Sequence, residues 1–355
     1  MNHVMSEGIK PRLMVLFGGR SSEHGVSCLT ASEVLAVIDH DRYDVLPVGI
    51  TRDGRWVRET GDWTDTVPGT LPEVRGDLAD LAWEELREAD VVFPLLHGPW
   101  GEDGTVQGLL EMAGVRYVGA GVLASSVGMD KPFTKTVFAA AGLPQVPHVT
   151  LMPWQWKKDR ARSEARIQAL GLPLFVKPAR AGSSSGVAMV ESWDQLDAAV
   201  LAAREFDPKV MVETAARNKR ELECGVIQGP DGIPVASVVG EITVDDSADH
   251  EFYDFDAKYL DGSGTMAIPA DISQTDSDRI RKYAVQAFEA IGAEGLARVD
   301  FFLTDDGLVI NEINTMPGFT PFSMFPKLWE ASGVPYADLV ERLIQLALQR
   351  DTGLR

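Results

Sequence analysis

The stretch "ARVDFFLTDDGLVINEINTMPGF" (residues 297–319) decides the fold, because it has the pattern of a buried β-hairpin with unusual interruptions. The turn at 305–307, Asp-Asp-Gly, suits a short hairpin loop in which Gly307 can take a positive φ. The strands on either side are built from Val, Phe, Leu and Ile. They are broken by four polar residues: Arg298, Asp300, Glu312 and Asn314.

The register of this hairpin predicts where the polar residues lie. If Thr304 pairs with Leu308, counting back along the strands places Asp300 opposite Glu312 and Arg298 opposite Asn314. Side chains alternate along a strand, so these four residues are expected on one face of the hairpin. The opposite face is predicted to be core and carries Val299, Phe301, Leu303, Val309 and Ile313.

The polar face has two interpretations. Polar alternation by itself is typical of a solvated sheet face. Two carboxylates directly opposite each other are destabilising, however, unless a cation sits between them. Carboxylate and amide oxygens beside an arginine are the ligands that suit Mg²⁺ with phosphates. The hairpin is therefore a candidate metal and phosphate site.

Length and composition restrict the class of protein. A chain of 355 residues is long enough for two or three domains, and its 45% hydrophobic and 24% charged residues are ordinary for a globular protein. The net charge of −20 argues against nucleic acid or an anionic membrane as a partner. Cys28 and Cys224 fit neither a disulfide framework nor a metal knuckle, and the apolar run "LMVLF" is too short for a signal peptide. These features predict a cytoplasmic protein.

The pattern of elements predicts an α/β protein with three domains. Residues 1–128 alternate strand and helix, as in "LMVLFGG" followed by "SCLTASEVLAVID", which predicts a Rossmann-like parallel sheet. Residues 129–220 are predicted to form a central domain. Residues 221–355 are predicted to form a C-terminal domain that contains the hairpin and a glycine-rich lid loop.

A second informative stretch is "LPLFVKPARAGSSSGV" (residues 172–187), in which Lys177 interrupts an apolar strand. A buried ammonium is costly unless it is paired, although a lysine at a strand edge can also extend to solvent. The glycine- and serine-rich loop that follows offers N–H groups and hydroxyls suited to phosphate oxygens. It lacks the spacing of a P-loop.

Other candidate residues have weaker patterns, each with a structural alternative. In "LLHGPWGEDGTVQG", His97, Glu102 and Asp103 cluster near a predicted strand end, where Asp103 or Thr105 could simply cap the next helix. Lys135 lies on a helix, where a surface lysine is the usual finding. Lys258 and Tyr259 precede a glycine-rich stretch that could close over a ligand.

Taken together, these motifs resemble one family. "FGGRSSEHGVS", "HGPWGEDGTVQG", "MDKPFTK", "FVKPARAGSSSGV", "FDAKYL", "ARVDFFL" and "NEINTMPGFTPFSMFP" occur in the order typical of a D-alanine–D-alanine ligase of the ATP-grasp superfamily. The resemblance runs from about residue 12 to about residue 345. It implies an ATP-grasp fold of three α/β domains, with ATP between the central and C-terminal ones.

The resemblance also implies an activity. It implies that ATP is used to join two D-alanine molecules through a D-alanyl phosphate, as a step of peptidoglycan precursor synthesis. It further implies a homodimer. For the nucleotide, it implies phosphate contacts by Lys135, Lys177, Lys258 and the loop residue Ser184, an adenine contact by Glu213 and a ribose contact by Glu221. Two Mg²⁺ or Mn²⁺ ions would be held by Asp300, Glu312 and Asn314.

For the amino-acid substrates, the resemblance implies a second group of residues. Glu23 would hold the ammonium of the first D-alanine, with His97 and Glu102 on the same side, and Ser183 and Tyr259 would complete a hydrogen-bonded triad with Glu23. The tetrahedral oxyanion would be stabilised by Arg298 and the Gly318 N–H, and Ser323 would bind the carboxylate of the second substrate.

Alternative functions stay open at this point. One is a different ATP-grasp carboxylate–amine ligase, or a ligase that joins D-alanine to D-lactate. Ester-forming relatives typically lack the tyrosine found here as Tyr259, so its presence favours an amine nucleophile. Another alternative is a nucleotide-binding regulatory module without catalysis, which would be expected to have lost the metal ligands or Arg298.

Overall fold

The structure is a computed structural model that describes residues 10–59, 71–74, 79–183, 185–244 and 264–352, with Val244 and Gly264 described by their backbone alone. Within these residues, the longest apolar helical stretches fall short of what a membrane crossing requires.

Strands in this part of the chain form three sheets. In chain order they are β1 (Arg12–Gly18), β2 (Asp44–Ile50), β3 (Trp56–Arg58), β4 (Val91–Pro94), β5 (Arg116–Tyr117), β6 (His148–Leu151), β7 (Leu174–Pro178), β8 (Ala188–Val190), β9 (Val210–Thr214), β10 (Arg220–Gln228), β11 (Pro234–Val244), β12 (Gly264–Ala267), β13 (Leu296–Thr304) and β14 (Gly307–Asn314).

Helices alternate with the strands over most of the chain. They are α1 (His24–Val37), α2 (Trp83–Arg87), α3 (Thr105–Ala113), α4 (Val122–Met129), α5 (Lys131–Ala140), α6 (Gln155–Lys158), α7 (Arg160–Gln168), α8 (Leu196–Phe206), α9 (Gln274–Ala290), α10 (Met324–Ala331) and α11 (Tyr336–Gln349), with a short 3₁₀ helix at Trp193–Gln195.

Two compact units can be distinguished. The first combines Met1–Val122 with Met316–Arg355, and its sheet has the strand order β3-β2-β1-β4-β5. Strands β2, β1, β4 and β5 are parallel, and β3 is antiparallel at the edge. The central strand β1 is buried along almost its whole length, as expected for a strand covered on both faces. The predicted Rossmann-like parallel sheet is confirmed.

The C-terminal residues belong to this first unit. Helix α11 packs against α1, β4 and β5. Tyr43 donates a hydrogen bond to Glu341 at 3.0 Å, and Arg116 Nε donates to the carbonyl of Arg350 at 2.7 Å. The three-domain division stays a prediction. In the structure, residues 316–352 belong to the unit of the N-terminal sheet, where the apolar face of α11 is buried.

The second unit, Leu123–Thr315, contains the other two sheets. The smaller sheet has the order β6-β9-β7-β8 and is antiparallel. In β7 the side chains of Leu174, Val176 and Pro178 are buried, whereas Phe175 and Lys177 are half-buried on the other face. This alternation places Lys177 on the face that also carries Glu213, a residue of the neighbouring strand β9.

The larger sheet of this unit has the order β12-β11-β10-β13-β14 and ends in the predicted hairpin. Arg298 is paired with Asn314 and Asp300 with Glu312, so the expected pairing of the polar residues is confirmed. The expected pairing at the turn is wrong by one residue, because Thr304 pairs with Gly307. An irregularity next to Asp300 inserts one extra residue in β14 and restores the predicted register beyond it.

This bulge changes the predicted core face of the hairpin. Val309 was expected in the core, but it is paired with Phe302 and is half-buried. Leu308 and Ile310 are buried in its place, together with Val299, Phe301 and Ile313. The reason is the period of two along a strand, which makes a shift of one residue exchange the two faces. Gly307 has a φ of +121°, as the turn chemistry predicts.

Candidate functional site

The polar face of the β13–β14 hairpin is organised by Arg298. Its guanidinium donates two hydrogen bonds of 2.7 Å to the two carboxylate oxygens of Asp300. Asn314 donates its side-chain amide to Asp300 at 3.0 Å. Burial opposes the charge of Arg298, but Asp300 and Glu223 outweigh it and raise the pKa of Arg298 well above its ordinary value. Three of the four predicted polar residues are therefore in direct contact.

A third carboxylate on this face was not anticipated from the sequence. Glu223 lies on β10, where it is paired with Asp300, and its carboxylate is 2.7 Å from Nε of Arg298. Glu223 is 6% exposed, so Arg298 neutralises a charge that is almost fully removed from water. The signal in the sequence is the alternation of Glu221 and Glu223, but only the sheet order places β10 beside the hairpin.

The fourth polar residue of the hairpin, Glu312, is accompanied by a lysine that the sequence analysis did not select. The ammonium of Lys131 lies 3.5 Å from the carboxylate of Glu312. Lys131 also donates a hydrogen bond of 2.9 Å to the carbonyl of Ala181, at the base of the glycine- and serine-rich loop. Lys131 thus links the hairpin to this loop.

A buried cluster of charges lies on the smaller sheet of the same unit. The carboxylate of Glu213 forms ion pairs with Lys177 and with Lys135, the latter at 3.1 Å. Burial alone would raise the pKa of Glu213, but the two lysines outweigh it and lower it to about 2. Burial lowers the pKa of Lys135, whose side chain is 2% exposed. The predicted residues Lys135, Lys177 and Glu213 are therefore brought together, with Lys135 enclosed in the protein.

Further residues are assigned by the resemblance to the nucleotide or to the triad with Glu23, and the structure describes some of them. Glu221 forms an ion pair of 2.7 Å with Lys219, and its charge also contributes to the raised pKa of Lys177. Ser183 has a φ of +47°, a left-handed conformation that is uncommon for residues other than glycine. Such conformations are concentrated at ligand-binding loops. Ser184, Lys258, Tyr259 and the proposed lid loop lie outside the described residues.

In the first unit, Glu23 and His97 are held by neighbouring loops. Ser21 donates a hydrogen bond of 2.7 Å to the carbonyl of His97, which ties the loop after β1 to the loop after β4. Glu23 is 8% exposed, and its carboxylate lies against Gly98, where an added Cβ would be 2.6 Å from Oε2. Gly98 has a φ of +74°, which favours a glycine at this point, and a larger residue would also displace the Glu23 carboxylate.

His97 is a neutral bridging residue in this arrangement. Its Nδ1 is 3.2 Å from the carbonyl of Met316, which can only accept, so Nδ1 carries the proton. Its Nε2 is 3.3 Å from the hydroxyl of Thr30 and accepts from it. Burial lowers the pKa of His97 in spite of the nearby Glu23 carboxylate.

The two acidic residues of "GPWGED" stabilise their own loop. Glu102 accepts a hydrogen bond of 2.6 Å from the N–H of Gly98. Asp103 accepts from the N–H groups of Trp100 and Thr105, at 2.9 and 3.0 Å. The N-cap of α3 is Gly104, so the expectation that Asp103 or Thr105 takes this position is wrong by one residue, although Asp103 does satisfy the N–H of Thr105 at the start of the helix.

Gly318 and Ser323 lie in the segment between β14 and α10. The hydroxyl of Ser323 accepts a hydrogen bond of 3.2 Å from the N–H of Thr320 and lies 2.8 Å from the Thr320 hydroxyl. Phe319 is fully buried, and its carbonyl accepts a hydrogen bond of 2.8 Å from Tyr336. The packing of Phe319 thus holds the backbone next to Gly318.

Comparison with protein families identifies the chain over most of its length. A model described as "D-ala D-ala ligase N-terminus" matches residues 12–120, and one described as "D-ala D-ala ligase C-terminus" matches residues 137–345. The chain belongs to the D-alanine–D-alanine ligase family.

Curated relatives in this family are similar along the whole chain. The D-alanine–D-alanine ligase of Arthrobacter sp. (strain FB24) is 52% identical over 376 aligned positions, covering 99% of this chain and 98% of the relative. That of Mycobacterium ulcerans (strain Agy99) is 52% identical over 371, covering 98% of each.

Solved structures show the same fold. The VanG D-Ala:D-Ser ligase from Enterococcus faecalis has a TM-score of 0.80 and 32% identity, covering 96% of this chain and all of its own. The D-alanine–D-alanine ligase from Coxiella burnetii has a TM-score of 0.76 and 34% identity, covering 96% of this chain and 94% of its own. The expected ATP-grasp architecture of the D-alanine–D-alanine ligase family is confirmed.

Proposed function

We propose that this protein uses ATP to join two D-alanine molecules, with ADP, phosphate and D-alanyl-D-alanine as products. The observation that carries the proposal is the polar face of the β13–β14 hairpin, where Arg298, Asp300 and Asn314 are in contact and Lys131 lies beside Glu312. The names of the relatives point to the same reaction.

The chemistry explains why such a face is needed. A carboxylate has no usable leaving group, so its oxygen first attacks the terminal phosphorus of ATP and ADP departs. The amine of the second D-alanine then attacks the carbonyl carbon of the D-alanyl phosphate. Phosphate leaves with the electrons of the carbon–oxygen bond, and the amine loses a proton. Both steps place negative charge on oxygens, which cations and N–H donors stabilise.

The hairpin fits one or two divalent cations by its chemistry. In the described residues no three His, Cys, Asp or Glu side chains converge into a ready-made metal site. The face nevertheless carries three carboxylates (Glu223, Asp300 and Glu312) against two cationic groups (Arg298 and Lys131). Hard oxygen donors of this kind suit Mg²⁺ or Mn²⁺. Asp300, Glu312 and Asn314 would hold the ions, which when bound would neutralise charge on the phosphates.

Cationic side chains of the same unit would bind the phosphates. We assign this role to Lys177 and Lys131, and to Lys258 on the basis of the resemblance. The structure favours Lys131 over Lys135, because Lys131 contacts both Glu312 and the base of the loop whereas Lys135 is enclosed beside Glu213. Ser184 would contact the phosphates from the loop, and Glu213 and Glu221 would bind the adenine and the ribose.

The amino-acid substrates would be bound by the remaining residues. Glu23 would hold the ammonium of the first D-alanine and would act with Ser183 and Tyr259. His97 and Glu102 shape the loops around Glu23, as their hydrogen bonds to Met316 and Gly98 indicate. For the second D-alanine, Ser323 would bind the carboxylate. Arg298 and the Gly318 N–H would stabilise the oxyanion.

The proposed ligase activity also indicates the cellular role and location of the protein. D-alanyl-D-alanine is a building block of peptidoglycan precursors, so we infer that the protein supplies this dipeptide in the cytoplasm. We also infer a homodimer from the resemblance.

A test of the proposed function is a coupled assay of ADP release with D-alanine, L-alanine, D-alanine plus D-lactate, and D-alanine plus D-serine. The expected result is ADP release with D-alanine alone and formation of the dipeptide, identified by its mass. L-alanine is expected to support no release.

Two outcomes would overturn the proposal. Faster ADP release with D-lactate or D-serine as the second substrate than with D-alanine would identify a ligase of different specificity. Binding of ATP without any turnover in the whole panel would identify a regulatory protein.

A further inference from the structure

A buried ion pair joins two segments next to the candidate nucleotide site. The ammonium of Lys209, the residue before β9, is 2.6 and 2.7 Å from the two oxygens of Asp130, the residue before α5. It also lies 4.4 Å from the ring centroid of Phe133. Asp130 and Lys209 are 7% and 8% exposed. None of the roles proposed above uses this pair.

The pair holds the first turn of α5. Asp130 is the N-cap of this helix, and its Oδ1 accepts a hydrogen bond of 3.2 Å from the N–H of Phe133. Asp130, the residue directly before Lys131, is therefore held both by Lys209 and by the first turn of α5. A capping carboxylate fixes the position of the first helical turn. Lys209 holds the Asp130 carboxylate and therefore also helps to fix the position of this turn.

The same segments are tied to the glycine- and serine-rich loop. The N–H of Lys131 donates to the carbonyl of Ala179 at 3.0 Å, and the N–H of Ala179 donates to the carbonyl of Lys209 at 3.0 Å. Just before the loop, Arg180 donates two hydrogen bonds of 2.8 Å to Asp207. Asp207 also accepts from the N–H of Lys209 at 2.9 Å.

These contacts converge on the side chain of Lys131. Its backbone is held by Asp130 and Ala179, and its ammonium is then 2.9 Å from the carbonyl of Ala181 and 3.5 Å from Glu312. A mobile lysine loses conformational entropy when it binds a phosphate, and a lysine held in place beforehand loses less.

Stability alone is a weak explanation for the pair. Removing two charges from water costs nearly as much as their attraction returns, and apolar replacements of buried ion pairs are often as stable. A buried pair can instead specify one arrangement of the segments that it joins. The pair here joins the segment before β9 to the start of α5, which carries Lys131 toward the glycine- and serine-rich loop and the hairpin.

We propose that Asp130 and Lys209 are positioning residues for nucleotide binding, which act by holding Lys131 between the base of the loop and Glu312. The inference rests on the proposed function for the identity of the nucleotide as ATP. It is tested by a binding measurement that does not require turnover.

The experiment measures the Kd of Mg²⁺–AMP-PNP by calorimetry for Asp130→Asn and Lys209→Met, each with Lys131 present and with Lys131→Met. With Lys131 present, each variant is expected to weaken binding about tenfold, comparable to the loss of one charge-assisted contact. With Lys131→Met, the same changes are expected to alter Kd by less than about twofold, because residues that act through one group are not additive. The two variants leave opposite charges unpaired: Asp130→Asn leaves the Lys209 ammonium beside a neutral amide, and Lys209→Met leaves the Asp130 carboxylate without its cation. An effect that both variants share therefore comes from loss of the pair.

The matched control is Asp197→Asn, which removes a carboxylate from the exposed pair with Arg160 and is expected to leave Kd unchanged. Thermal unfolding of each variant separates positioning from stability. The proposal is overturned if the variants lower Tm without changing Kd, or if they weaken binding equally with and without Lys131. If the wild-type protein binds AMP-PNP but does not ligate D-alanine, the proposed function fails while this binding test still decides the role of the pair.

Discussion

The guanidinium of Arg298 donates a bidentate pair of hydrogen bonds to the carboxylate of Asp300, from Nε to Oδ1 and from Nη2 to Oδ2, each at 2.7 Å. The two residues are on one strand, two positions apart, so they project from the same face of the sheet. Arg298 also contacts Glu223 at 2.7 Å from the neighbouring strand. One cation therefore serves two carboxylates in the sheet that also presents Glu312.

Replacement of Arg298 should show how much the sheet depends on this cation. We expect Arg298→Met to lower the free energy of unfolding by about 3–5 kcal/mol, because it removes the cation from buried carboxylates. Added Mg²⁺ should restore part of the loss, since an ion among the same oxygens would take over the neutralisation. Urea unfolding with and without Mg²⁺ measures both effects.

The control for this prediction is Arg220→Met, which removes an arginine from a more exposed pair with Glu241 in the same sheet. It should cost about 1 kcal/mol or less and should not respond to Mg²⁺. Equal losses for the two variants would contradict the special role of Arg298.

Glu312→Gln should abolish turnover while the fold is kept. The change removes one negative charge from a candidate metal ligand and preserves the shape of the side chain. We expect kcat to fall by about 100-fold or more, since even residues that only support metal ligands are worth about 10–100-fold. Glu289→Gln, on an exposed position of α9, is the matched control. Near-normal ADP production by a folded Glu312→Gln protein would refute the assignment.

The two lysines of "MDKPFTK" should differ in their effect on the nucleotide. Lys131→Met is expected to weaken Mg²⁺–AMP-PNP binding about tenfold, because the ammonium beside Glu312 is lost. Lys135→Met should have the smaller effect on Kd, because the Lys135 ammonium is enclosed beside Glu213. Calorimetry on both variants decides between them, and a larger effect of Lys135→Met would support the assignment made from the sequence.

His97 should make stability depend on pH in the mildly acidic range. Burial lowers its pKa in the folded protein below the ordinary value of 6.5. The unfolded chain therefore binds a proton first as the pH falls below 6.5, and the folded state loses stability from that point down to its own pKa. We expect His97→Gln, whose amide can still donate to Met316 and accept from Thr30, to reduce this slope.

Urea midpoints at pH 7.5, 6.5 and 5.5 measure the slope for the wild type and for His97→Gln. His148→Gln is a useful comparison, because burial lowers the pKa of that half-buried histidine as well. An identical pH dependence of the wild type and His97→Gln would show that His97 is protonated equally in both states.

The local features of this protein are determined by the sequence. The alternation around Asp300 and Glu312, the turn at Gly307 and the helix signals of the first third depend on neighbours in the chain, and the structure agrees with them. Seven motifs in a fixed order were also sufficient to recognise the family. Such features follow from the periods of strands and helices, which a single segment carries by itself.

What only the tertiary structure decided involves residues distant in sequence. The bulge beyond Asp300 moved Val309 off the core face, because pairing with a partner strand and not the turn alone sets the register. Glu223 contacts Arg298 because β10 lies beside β13. Of the two lysines of α5, Lys131 contacts Glu312 whereas Lys135 pairs with Glu213 on the smaller sheet. Residues 316–352 pack with the N-terminal sheet, since an amphipathic helix can bury its apolar face on any complementary surface. The packing energy between distant segments selects the surface on which such a helix docks. This energy depends on both segments and cannot be calculated from the sequence of one of them.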